Sequence, residues 1–166
     1  MTPDLYDALR NLEAAIPNPT AGLPHEVFLF VSRITPLINV DLLIKDESNR
    51  TLLTWRDDDH YGTGWHIPGG IIRYKETAVE RVHAVAASEL GAGVTCESAP
   101  TFVLESIAPE RDRGHFYSLL YRCRLTTPPD ESRRARTNPA RSGDWAWHSG
   151  PPRDLLSAHR PYADFL

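Results

Sequence analysis

Leu5, Leu9, Leu12 and Ile16 recur at helical spacing, with Asp4, Asp7 and Arg10 on other faces, which predicts an amphipathic helix over residues 3–16. Three prolines and a glycine in residues 17–24 end it and form a linker. The apolar runs at 27–34 and 36–45 read as strands. Asp46-Glu47-Ser48-Asn49-Arg50 is turn chemistry, so residues 37–45 and 51–56 are expected to pair as a hairpin. Residues 57–64 read as a polar loop, and 71–74 as extended chain.

The strongest helical pattern runs over residues 77–90. Thr77 and Glu80 have capping-box spacing, Ala78, Val82, Val85, Ala86 and Leu90 form one stripe, and Gly91 is placed to stop the helix. Residues 102–108 and 115–125 follow as strands, antiparallel across a turn at 110–114. Residues 126–142, rich in proline, arginine and serine, read as a mobile loop. A short strand at 144–148 and a short helix starting at 151–158 complete the chain. Helices and strands in this order predict an α+β fold, with a mixed β-sheet packed between helices as an α/β/α sandwich.

A chain of 166 residues accommodates one core, divided here into an N-terminal helix and linker (1–24) and a main domain (25–166). No apolar run approaches the roughly 20 residues that span a bilayer, and the acidic, amphipathic N-terminus does not read as a signal peptide. No membrane association and a cytoplasmic location are the expectation. The net charge of -4 opposes general nucleic-acid binding but permits a small phosphorylated ligand held by a few local cations. Cys96 and Cys123 lack metal-site spacing and read as buried thiols on separate strands.

The chemistry concentrates in residues 69–91, where a glycine turn feeds a capped helix with a carboxylate, Glu89, near its far end. Glycine lets the backbone approach a ligand closely, and a carboxylate beside it offers oxygen to Mg²⁺, which retains waters and shares phosphate oxygens. This segment resembles the Nudix box, G-x5-E-x7-R-E-U-x-E-E-x-G-U, with Gly70, Glu76, Glu89 and Gly91 in register. Ala84, Val85 and Ser88 stand where the box has arginine and two glutamates. A box reduced in this way is similar to that of the GDP-mannose mannosyl hydrolase branch. The upstream residues Thr35 to Asp41, Leu52 to Arg56 and Gly64 to Gly70 also resemble that branch, and the likeness spans residues 28–166.

The resemblance implies a magnesium-dependent hydrolase, manganese also suiting the ligands, that cleaves the glycosyl C–O bond of a nucleotide sugar such as GDP-mannose. It implies metal binding by the Gly69 carbonyl and Glu89. His115 becomes the candidate base, Arg56 a catalytic and diphosphate-binding residue, and Asp41 an acidic group in the substrate pocket. Ile71 replaces an arginine of the branch, which makes Arg73 the substitute cation. Arg81 is the candidate partner for Glu76 in place of the residue lost at Ala84. Trp65 is read either as a ring stacking on substrate or as core packing. A homodimer joined through the N-terminal segments is a further implication. P–O cleavage of ADP-ribose or a related compound, and a decayed nucleotide-binding module, are the alternatives.

Overall fold

A computed structural model describes residues 3–59, 61–111 and 113–166. His60, in the expected loop at 57–64, and Asp112, in the expected turn at 110–114, lie outside the described residues, as do Met1 and Thr2. The elements are α1 (Pro3–Ala14), α2 (His25–Ile34), β1 (Leu37–Ile44), β2 (Thr51–Asp58), β3 (Gly62–His66), β4 (Gly69–Ile71), α3 (Ala78–Val85), β5 (Val94–Cys96), β6 (Phe102–Ile107), β7 (His115–Leu125) and β8 (Trp145–His148). The last turns of α3 widen into a π-helix over Ala86–Leu90, and a 3₁₀ helix spans Ser157–Phe165.

Two sheets form the frame. The larger is mixed, in the order β4-β1-β7-β5 with β6 also on β7, and its central pair, β1 and β7, is parallel. The smaller is antiparallel, in the order β3-β2-β8. Alternation along β1 splits the core. Val40, Leu42 and Ile44 pack with Val82, Val85 and Leu90 of the α3 segment, whereas Leu43 packs with Leu53, Trp55, Ile67 and Tyr162 on the other side. Helical segments thus cover both faces of the frame, the α/β/α arrangement expected.

The segment at 77–90 folds as its pattern predicts. The Thr77 hydroxyl accepts from the Glu80 amide at 3.2 Å, and the Glu80 carboxylate accepts from the Thr77 amide at 2.7 Å. Gly91 ends the segment in the left-handed region at φ +61°.

Several other expectations are corrected. Residues 27–34 belong to α2, where the half-buried Val27, Phe28 and Val31 recur at helical spacing beside buried Ser32, while Phe30 and Ile34 are exposed. A short apolar run fits either element, and here tertiary packing decides. The hairpin of 37–45 with 51–56 does not form. β1 is an interior strand, with Leu42, Leu43 and Ile44 buried on both faces, and it takes β4 and β7 as neighbours. Strand pairing with the second apolar run is limited to a bridge at Lys45 and Thr51. The loop at 57–64 is largely a hairpin, since β2 continues to Asp58 and β3 begins at Gly62.

Residues 126–142 are not a loose loop. The Trp145 indole N–H donates to the Asp130 carbonyl at 2.8 Å, Ala140 is buried, and Arg133 donates to the Ser88 and Glu89 carbonyls at 2.7 and 3.1 Å. The C-terminal helix starts at Ser157, near the end of the expected 151–158 segment, because residues 152–155 close a turn first. Cys96 and Cys123 are thiols on adjacent strands, opposite each other in register, with Cys123 buried. No helix of the described residues is long and apolar enough to cross a membrane.

Candidate active site

Because β1 and β4 pair antiparallel, Asp41 lies opposite Gly69. A Cβ at Gly69 would collide with Asp41 Oδ1 and the Val40 carbonyl, so only glycine lets the two strands close here. Asp41 is buried, and its Oδ2 accepts from the Tyr162 hydroxyl at 2.6 Å. Burial pushes its carboxyl up to about 6, against the lowering pull of Tyr162, Arg56 and Ser118.

Glu89 approaches the same place from the π-helical end of the α3 segment. Its Oε2 accepts from the Thr54 hydroxyl at 3.1 Å and stands 3.7 Å from His66 Nε2. Burial raises Glu89 to about 7, opposed by Arg56, Thr54 and the Gly69 amide and assisted by Asp41. The His66 ring is held neutral: burial first, then Arg56 and His159, drives it well below the ordinary histidine value. With the Thr54 proton given to Glu89, the 3.2 Å contact between Thr54 Oγ1 and His66 Nε2 assigns the His66 proton to Nε2. The His66 Nδ1 is buried with no hydrogen-bond partner among the described residues.

Arg56 is the common cation, since it acts on Asp41, Glu89, His66 and His159 alike. It lines a cavity of about 240 Å³ with Asp41, Gly69, His66 and Tyr162, and also an adjoining cleft that contains Glu89, Thr54 and Arg133. The arrangement thus offers two desolvated carboxylates, a neutral histidine pair and one shared guanidinium, with polar space on either side.

Four of the sequence candidates therefore meet: Asp41, Arg56, Gly69 and Glu89. Three do not. His115 and Tyr117 alternate with Phe116 and Ser118, and only the latter two line the cavity. The His115 ring instead lies 3.3 Å from Glu105, which also accepts from the Tyr117 hydroxyl at 2.5 Å, on the opposite face of the sheet. Arg73 is exposed and lies beside Gly22 along an apolar groove against α2. Trp65 takes its core-packing reading, edge-on to Trp55 at 5.1 Å and to His148 at 4.5 Å. Accordingly, His115→Ala is expected to leave kcat/KM within about twofold of wild type in a steady-state assay, since its ring contacts no group of the site.

The replacement ion pair expected within the box is present. Arg81 contacts Glu76 Oε2 through Nε at 2.8 Å and through a terminal nitrogen at 2.7 Å, and the same oxygen accepts from the Arg73 amide at 2.8 Å. Glu76 thereby orders the turn ahead of α3. The aspartates after Arg56 have local duties, Asp57 accepting from Thr63 and Asp58 from the Tyr61 amide.

Sequence reasoning did not select His66, His159, Tyr162, Asn39 or Arg113, all of which line the cavity. Strand alternation could have placed His66 opposite Trp65 in facing, but the C-terminal pair has no local signature. Among the described residues there is no group of three or more His, Cys, Asp or Glu side chains that could hold a metal. Magnesium uses one or two carboxylates together with waters and substrate phosphate, and Glu89, whose carboxylate meets the Gly69 backbone, fits that need.

No family model matches the chain. Over 80 residues it is 35% identical to the low-salt glycan biosynthesis protein Agl8 of Haloferax volcanii, a match covering 48% of this chain and 51% of that protein. The chain thus spans about half the length of the curated relative it matches. Among solved structures it is similar to a MutT Nudix hydrolase from Burkholderia pseudomallei, with TM-score 0.62 and 22% identity over 80% of this chain and 98% of that one. A UDP-X diphosphatase aligns with TM-score 0.56 and 19% identity, over 95% of this chain and 74% of that one. An ADP-ribose pyrophosphatase from Streptococcus suis aligns with TM-score 0.54 and 18% identity, over 80% and 87% of the two chains. These likenesses identify the Nudix fold.

Proposed function

We propose that this chain is a magnesium-dependent hydrolase of a nucleoside diphosphate sugar, acting in the cavity lined by Asp41, Arg56 and Gly69 and the adjoining cleft that holds Glu89. The observation that carries this reading is the convergence of two desolvated carboxylates and one shared guanidinium beside Gly69. The Glu89 carboxylate and the Gly69 carbonyl would hold the metal, with Asp41 close by. A bound magnesium would neutralise charge on the diphosphate. Arg56 would bind diphosphate oxygens, and its fixed position offsets charge as the leaving group departs.

The bond proposed to break is the glycosyl C–O bond, giving nucleoside diphosphate and free sugar. A base is required, and Asp41 replaces His115 in that role. Its carboxyl, at about 6, suits proton abstraction near neutral pH, and the Tyr162 hydroxyl orients it. The likeness to a glycan biosynthesis protein supports a sugar-bearing substrate. P–O cleavage is the second reading, favoured by the resemblance to a UDP-X diphosphatase and an ADP-ribose pyrophosphatase and by the distance of His115 from the site. Chromatography of nucleotide products, after incubating the protein with magnesium and either GDP-mannose, UDP-glucose or ADP-ribose, tests both. Nucleoside diphosphate with free sugar supports the first reading. Nucleoside monophosphate supports the second, and no product from any of the three argues for a binding module.

The raised carboxyls also give a stability signature. Folding lifts Asp41 and Glu89 above their ordinary 3.8 and 4.5, to about 6 and about 7, so the folded chain holds these protons more tightly than the unfolded one. Their contribution is complete below about pH 4 and is lost as pH rises through 6 and 7. Urea unfolding with a chelator present is expected to show lower stability at about pH 8 than at about pH 5 from this source. The difference should shrink in Glu89→Gln; an unchanged slope would remove Glu89 from the explanation.

A further inference from the structure

The turn joining β6 to β7 carries a cation that the site as described does not use. The Ala108 amide donates to the Gly114 carbonyl at 2.7 Å, and the Arg111 amide to the Ala108 carbonyl at 3.0 Å, which closes the turn. A Cβ at Gly114 would overlap the Ala108 carbonyl, so this turn packs as tightly as its backbone allows. Arg113 is directed from it into the cavity that holds Asp41 and Arg56.

Three aromatic rings from separate elements hold the guanidinium. Its carbon lies 4.8 Å from the Phe28 centroid, 5.6 Å from Tyr61 and 6.0 Å from Phe116. Aromatic faces attract and orient a cation, but they accept none of its N–H groups in the manner of an oxygen. Among the described residues the buried Arg113 Nε has no hydrogen-bond partner, and no carboxylate lies within ion-pair reach of this side chain. Arg56 differs, having Asp58 at 3.4 Å. Arg56 also sits 5.3 Å from the same Tyr61 ring, so the two guanidinium groups address one small volume. A buried donor left unpaired is costly, and an oxyanion entering the cavity would satisfy it.

We propose that Arg113 binds the second phosphate of the substrate, bracketing the diphosphate with Arg56 and selecting diphosphate over monophosphate compounds. This rests on the reading of the cavity as the diphosphate site. Arg113 supplies from the β6–β7 turn the cation that neither Ile71 nor exposed Arg73 provides. The planar fork matters as well as the charge, because two parallel N–H groups match two phosphate oxygens.

The test is isothermal titration calorimetry of GDP, UDP and ADP, and of their monophosphates, into the full chain with magnesium. Wild type is compared with Arg113→Met and Arg113→Lys, and thermal melts check folding. Arg113→Met is expected to weaken the preferred diphosphate by about tenfold or more, the worth of one charge-assisted contact. The corresponding monophosphate should change by less than about threefold. Arg113→Lys, which keeps the charge, should show the same selective loss to a smaller degree, and it decides the matter if the methionine variant melts early. Diphosphate affinity unchanged in both variants, or equal losses for both nucleotide classes, overturns the role of Arg113 while leaving the site reading in place. Failure of wild type to bind any diphosphate overturns both.

Discussion

Glu89→Gln is expected to lower kcat by about a hundredfold or more while the fold persists. Loss of a metal-binding charge removes several kcal/mol of transition-state stabilisation, and each 1.36 kcal/mol is tenfold in rate. Glutamine has nearly the same shape, and its amide oxygen still accepts from the Thr54 hydroxyl, so the local packing survives. The substitution also removes a carboxyl that burial pushes up to about 7, which at neutral pH relieves a desolvation cost. Lower activity with equal or higher thermal stability is thus the expected pair of results. Turnover within about threefold of wild type would remove Glu89 from the mechanism.

Arg56→Met should cost about a hundredfold in kcat/KM and also shift the pH profile. The first effect follows from the loss of charge-assisted hydrogen bonds to the diphosphate, each worth roughly 1.5–3 kcal/mol. The second follows from the position of Arg56 between the two carboxyls, both of which it pulls downward. Without it, Asp41 and Glu89 titrate at higher pH, so the acidic limb of the activity profile moves toward alkaline values. A purely structural Arg56, paired 3.4 Å from Asp58 at the surface, would show neither effect, because such exposed pairs contribute about 1 kcal/mol or less. Steady-state kinetics from about pH 5 to 9 separates the cases.

The Arg81 to Glu76 pair illustrates how far local spacing reaches. Helix geometry alone brings residue 81 toward the start of α3, and the ion pair forms there without the box arginine. Arg73 and His115 illustrate the limit. Both were transferred by position along the chain, yet which face a strand residue presents depends on register. His115 falls on the odd side of β7 and Phe116 on the even side, and only the parallel pairing with β1 turns the even side toward Asp41. One residue of register would exchange those roles.

What the sequence by itself determined is what short-range physics controls: α1, the capping box and Gly91 stop of the α3 segment, and the β6–β7 antiparallel pair. The resemblance over residues 35–41, 52–56 and 64–91 picked out Asp41, Arg56, Gly69 and Glu89, which the fold places around one cavity and its adjoining cleft. Tertiary structure alone decided the rest. It made residues 25–34 a helix, because a short apolar run such as 27–34 is ambiguous until it has a surface to cover. It sent β1 and β2 to different sheets, because a strand buried on both faces takes neighbours on both edges. It also brought Tyr162, His159 and Arg113 to the cavity, contacts closed over long loops whose partners have no shared local pattern.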